Sequence, residues 1–155
     1  MRMTPLLTAG LLSAPAMAGT VSITIPQGKI AEYKKPYVVA WLEPTDGSPI
    51  RTLSAWYNVR KTGAESGTKY LVDLRTWWRK GGRSLMLPAD GISGATRAPG
   101  TYTIPLPADL KPGEYILNVE AARESGGHEL VSVPLVNGAG SASGKTELGA
   151  VVVTK

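Results

Sequence analysis

Tyr37-Val38-Val39-Ala40-Trp41-Leu42-Glu43 runs almost wholly apolar into Pro44-Thr45-Asp46-Gly47, and over residues 50–57 apolar and polar side chains alternate. Pro, Asp and Gly each favour turn geometry, whereas Val, Trp and Tyr suit a pleated, half-buried surface. Two such runs across a tight turn predict a β-hairpin. Upstream, Val21, Ile23 and Ile25 alternate with polar residues and stop at Pro26, the period of a first strand. Downstream, residues 101–106, 114–122, 129–136 and 148–154 are four further extended runs, separated by segments bearing Gly or Pro.

Seven short strands with turn signals between them predict a mainly β fold, an antiparallel sandwich of the immunoglobulin or fibronectin type. One helix is inserted. Tyr70, Leu71, Leu74, Trp77 and Trp78 fall at i, i+1, i+4, i+7 and i+8, an amphipathic stripe. Arg79 and Lys80 suit its C-terminal dipole and Gly81-Gly82 ends it. Leu110-Lys111-Pro112-Gly113-Glu114-Tyr115 resembles the entry to a tyrosine corner, a turn followed by Tyr at the start of a long strand.

Composition narrows function. The 155 residues include 18 Gly and 12 Pro, too many helix breakers for a bundle, and a length that fits one domain. With no Cys, a disulfide framework, thiolate metal site or thiol nucleophile is excluded. His128 is the single histidine, so a multi-histidine metal centre is excluded as well, and a Ser-His-Asp triad would have to use that residue. It reads as a surface or interface residue. Glu120, Arg123 and Glu124 near one strand end read as a structural ion pair.

The first 18 residues form an address. Arg2 gives a positive start, residues 6–12 an apolar stretch too short to span a bilayer, and Ala16-Met17-Ala18 a small-x-small cleavage site. This predicts a Sec-type signal peptide over residues 1–18, export to the periplasm, and a single sandwich domain over residues 19–155 with no transmembrane span. Without Arg2, 16 basic residues face 12 acidic ones, and the signs read as interspersed. That pattern does not point to nucleic acid.

Two short motifs invite a chemical reading. Ala139-Gly140-Ser141-Ala142-Ser143-Gly144-Lys145-Thr146 fits a relaxed phosphate-loop pattern, but it leads into the extended Leu148-Gly149-Ala150-Val151-Val152-Val153, with no helix N-terminus to face a phosphate. It reads as a flexible hairpin loop. Asp90-Gly91-Ile92-Ser93-Gly94-Ala95-Thr96 lies in the longest irregular region, residues 81–100, where function concentrates in a compact domain.

That second stretch resembles the Asp-x-x-Ser/Thr-Gly-Ala-Thr acceptor motif of bacterial proteins that carry FMN covalently, among them flavin subunits of sodium-pumping and Rnf-type complexes. In that family an exported flavin transferase takes FAD and leaves FMN on the last Thr through a phosphoester. The resemblance makes Thr96 the acceptor. Ser93, Gly94 and Ala95 would present it, with small side chains that let a second protein approach. Asp90 would either orient the loop or meet the transferase. Arg97 is the adjacent cation for a phosphate, Arg79, Lys80 and Arg83 flank the loop, and Trp78 offers a ring face while Trp77 reads as core.

Most of the chain from residue 19 onward, including Trp41-Leu42-Glu43, Leu74-Arg75-Thr76-Trp77-Trp78-Arg79, Val119-Glu120-Ala121-Ala122-Arg123-Glu124 and Gly144-Lys145-Thr146-Glu147-Leu148-Gly149, resembles the domain-of-unknown-function 2271 family of small exported bacterial proteins. The known covalent flavin domains are not sandwiches of this kind, so only the seven-residue acceptor carries over. Together the resemblances imply a periplasmic electron carrier with covalent FMN and no catalytic machinery of its own. Its implied partners are a periplasmic flavin transferase and membrane redox proteins. The alternatives are a non-redox module whose Trp-rich surface grips a ligand, and an accessory domain with none.

Overall fold

The computed structural model describes residues 19–28, 33–63, 66–124 and 126–155; the expected leader lies outside the described residues. Nine strands form two sheets among them. The first sheet has β1 (Thr20–Ile25) between β5 (Gly100–Pro105) and β9 (Ala150–Thr154), with β8 (Gly140–Ser143) outside β9. The second runs β4 (Ser93–Ala95), β3 (Arg51–Tyr57), β2 (Tyr37–Pro44), β6 (Tyr115–Ala122) and β7 (His128–Pro134). Every pairing is antiparallel except β3 with β4.

The apolar run of β2 is continuous because both of its faces are covered, as strands between two layers require. Val38, Ala40 and Leu42 face the first sheet and join Ile23, Val119 and Val151 in the inner core. Tyr37, Val39 and Trp41 point the other way, into a second core with Leu71, Leu74 and Trp77. The sandwich therefore carries a helical third layer on its second sheet. A register shift opposite Ala40 and Trp41 interrupts the alternation of β3, so that Leu53 and Trp56 both reach the inner core while Thr52 accepts a bond from the Trp77 indole at 2.9 Å.

The stripe over residues 70–78 buries as its spacing predicts, but it is not one helix. A 3-10 segment (Gly67–Asp73) gives way at Leu74 to α1 (Arg75–Lys80). The cause is tertiary. Glu120 of β6, fully buried, accepts the amides of Thr76 and Trp77 at 3.1 and 2.9 Å, which fixes where α1 begins. In the 3-10 segment residues three apart eclipse, so Leu71 and Leu74 still face one side. Glu120 also meets His128 Nε2 at 2.6 Å, so the histidine caps a structural network from the sheet's edge. Arg123 pairs with Glu147 and Glu124 with Lys34; the expected pairing among residues 120, 123 and 124 does not form.

The tyrosine corner is present: Tyr115 donates its hydroxyl to the Lys111 carbonyl at 2.7 Å. All seven expected strands form. The two additions, β4 and β8, are three and four residues long and consist of Gly, Ala and Ser, so pairing partners and not propensity create them.

The phosphate-loop lookalike has a different use. Its Gly140-Ser141-Ala142-Ser143 stretch is β8, and the turn after it wraps the Glu129 carboxylate, which accepts the amides of Lys145, Thr146, Glu147 and Leu148 at 2.8–3.2 Å. Burial alone would raise the pKa of that carboxyl, but the four amides outweigh it and hold the group below its ordinary value of 4.5. The folded chain then binds this proton less readily than the unfolded chain. Its contribution to stability is complete above the ordinary value and fades as pH falls through the folded one. Glu129→Gln is expected to cost about 1–3 kcal/mol at neutral pH and to flatten the loss of stability as pH falls below the ordinary value of 4.5. Urea unfolding followed over that fall in pH checks it.

Candidate functional site

The acceptor-like stretch is held by its polar side chains. The amides of Ile92 and Ser93 both donate to the Ala89 carbonyl, closing a turn in which Gly91 has φ +75°, a left-handed value that Gly adopts without strain. Ser93 Oγ accepts the Ala89 amide at 3.0 Å and bonds the Tyr57 hydroxyl at 3.1 Å. Residues 93–95 then pair with residues 55–57 as β4. This corrects the expectation that the motif lies wholly outside any strand: its Ser-Gly-Ala is an edge strand, and Thr96 is the first residue beyond it.

Gly94 lies over Trp56. A Cβ there would stand 3.2 Å from the indole and 3.4 Å from the Arg97 guanidinium, so a side chain would crowd the Trp56 ring. Arg97 donates to the Ala95 carbonyl at 3.1 Å and stacks over Trp56 and Tyr102, 5.0 and 5.9 Å from their ring centroids. The Ala98 carbonyl, one residue further on, accepts the Tyr102 hydroxyl at 2.7 Å. That is a second corner with the same span as the one at Tyr115. The sequence signal for it is the repeated Pro-Gly-x-Tyr at residues 99–102 and 112–115, which identifies Tyr102 as an anchor that the acceptor motif does not include.

Thr96 therefore sits between two fixed points, Ala95 and Ala98, on a half-buried turn. Among the described residues its hydroxyl has no hydrogen-bond partner. Asp90 is exposed and likewise makes no hydrogen bond with a described residue. Of the motif's polar side chains, Ser93 builds the loop, while Asp90 and Thr96 are unengaged among the described residues.

Other expected residues do not converge on Thr96. Trp78 is half-buried and lines a cavity of about 230 Å³ with Leu71, Trp77, Gly82 and Leu87, whose lining does not include Thr96. Lys80 pairs with Glu43, and Arg79 donates to the Arg75 carbonyl. Trp41, Trp56 and Trp77 are buried, so the chain has no Trp-rich surface with which to grip a ligand. Two clefts flank the N-terminal half of β3. One, of about 370 Å³, runs past Asp90 and Gly91 to Ile104; the other, of about 460 Å³, lies between Ile50 and Leu85. Among the described residues no cluster of His, Asp and Glu could hold a metal ion, and no helix is long and apolar enough to cross a membrane.

These residues fit FMN as a tethered group on the chemistry of the Thr96 hydroxyl, which has no hydrogen-bond partner among the described residues, with the cation Arg97 next in the chain. None of the cavities described above has Thr96 in its lining. No curated protein and no solved structure matches the chain. The family described as "Predicted periplasmic protein (DUF2271)" matches residues 18–150, nearly the whole chain, and strands β1 to β8 lie within that span. On that match the chain belongs to the DUF2271 family and is a periplasmic protein.

Proposed function

We propose that this protein carries FMN covalently on Thr96 and serves as an electron-transfer module in the periplasm. The observation that carries the reading is the Thr96 hydroxyl, without a hydrogen-bond partner among the described residues, between the bonded carbonyls of Ala95 and Ala98. In the attachment step Thr96 Oγ1 attacks the FMN phosphorus of FAD; the phosphoester forms, the pyrophosphate bond breaks, AMP leaves, and the hydroxyl proton passes to the transferase. Bound there, flavin supplies one- and two-electron redox chemistry. The chain contributes the tether, the Arg97 cation next to it, and a rigid turn. Its partners in this reading are a periplasmic flavin transferase and membrane redox proteins.

Asp90 has no structural task among the described residues, which favours recognition by the transferase over orientation of the loop. Asp90→Ala is accordingly expected to change stability by less than about 0.5 kcal/mol while sharply reducing attachment. The test is co-expression with an active flavin transferase in an exporting host, read by in-gel flavin fluorescence with and without the transferase. A fluorescent wild-type band that depends on the transferase supports the reading. A dark band beside a labelled control acceptor defeats it.

A second reading is a non-redox binding or accessory module. The two clefts beside β3 favour it, since β4 covers only residues 55–57 and leaves residues 51–54 without a strand on that side. A dark band in the fluorescence test would leave this reading in place.

A further inference from the structure

The sign of charge is not spread evenly over the chain. Seven of its 17 Lys and Arg, but two of its 12 Asp and Glu, lie between residues 58 and 85. That stretch carries the entire formal net charge of +5, and the remaining ten of each sign cancel. Most of it is the helical layer on the second sheet.

The layer has two faces. Leu71, Leu74 and Trp77 bury against the sheet. Val72, Asp73, Arg75, Arg79, Lys80 and Arg83 are all exposed, with Arg75 and Arg79 one turn apart on α1. Arg75, Arg79 and Arg83 make no ion pair with any described residue, and Asp73 is the one acidic residue among the described residues of the layer. Apolar side chains stand among these cations: Val72 is about half exposed and Met86, just past Arg83, is 88 % exposed. At that exposure the Met86 side chain has almost no share in packing.

We propose that the outer face of the helical layer is a docking surface for an anionic bilayer. The inference is independent of the reading of Thr96. Charge complementarity supplies the attraction, and each Lys or Arg near an anionic lipid surface adds to it until salt screens it. Val72 and Met86 protrude singly and form no groove. A headgroup layer can accept isolated apolar side chains beside cations, whereas a folded acidic partner would need a matching contour. Unpaired guanidinium groups likewise suit a fluid array of phosphates.

The experiment is co-sedimentation of the chain from Gly19 onward, which contains every described element, with vesicles of one part phosphatidylglycerol to three parts phosphatidylethanolamine, and with phosphatidylcholine vesicles. Expected are binding to the anionic vesicles only, loss of it on raising salt from about 0.05 to 0.5 M, and a fall of about 100-fold for Arg75→Gln/Arg79→Gln/Arg83→Gln, at roughly five-fold per charge. Met86→Ser is expected to weaken binding with the charge unchanged. The control Lys111→Gln/Lys145→Gln/Lys155→Gln removes the same charge elsewhere and is expected to bind within a few-fold of wild type. Thermal melts confirm that each variant is folded. The proposal is overturned if wild type ignores anionic vesicles, if the control falls as far as the Arg variant, or if the chain is held by immobilised poly-glutamate but not by vesicles, which would point to an acidic protein instead.

Discussion

Thr96→Ala is expected to abolish covalent flavin entirely while leaving the fold intact. The substitution removes the only atom in the motif able to accept the phosphorus in the expected register, and Ser93, the other hydroxyl, is engaged by Ala89 and Tyr57. Thr96 itself makes no hydrogen bond with a described residue, so the change in stability is expected to stay within about 0.5 kcal/mol. Absence of the adduct then cannot be ascribed to unfolding. Thr96→Ser keeps the nucleophile and is expected to keep attachment. Intact mass after co-expression reads both, and an adduct that persists in the alanine variant would move the site elsewhere.

Glu120→Ala is expected to be strongly destabilising, at about 3–5 kcal/mol. It strips the acceptor from the amides of Thr76 and Trp77 and from His128, and leaves a void beneath the helical layer. Those amides have no other partner when buried, and each orphaned donor carries its full desolvation cost. Glu120→Gln retains one acceptor oxygen and most of the volume, so it is expected to cost less than half as much. Chemical denaturation of the three proteins measures the difference. Equal losses for Ala and Gln would show that the carboxylate's charge, not its capping geometry, holds α1 in place.

The strands that the sequence discloses are those whose side chains must fill a layer. β1 alternates because one face is buried, and β2 is continuously apolar because two are. β4 and β8 are too short and too small-sided to leave a period, and exist because β3 and β9 offer them an edge. The helical stripe is legible as a buried face but not as a broken helix, since the break is set by a carboxylate 44 residues away in the chain. The Thr96 loop is legible as a motif, but its rigidity is not, because Trp56 and Tyr57 come from another strand. Tyr102 has a signal of its own in the repeated Pro-Gly-x-Tyr. Cancellation of charge outside residues 58–85 hides the basic layer within a modest overall balance.

The phosphate-loop lookalike is instructive for the same reason. Small residues leading into Gly144-Lys145-Thr146 do build a run of converging amides, as that pattern of residues suggests, but the anion they meet is the chain's own Glu129. The local chemistry is real and its ligand internal. By contrast the Thr96 hydroxyl is left without an internal partner among the described residues, which is why the proposal of a covalent group is made there.

Covalent FMN on Thr96 is tested most directly by peptide-level mass spectrometry of the wild-type chain recovered from the periplasm of cells making an active flavin transferase. Expected is a mass gain of one FMN less one water on the peptide containing residues 90–97, with fragment ions that bracket it to Thr96. An unmodified peptide, while a control acceptor in the same cells is labelled, or the gain on any other residue, would contradict it.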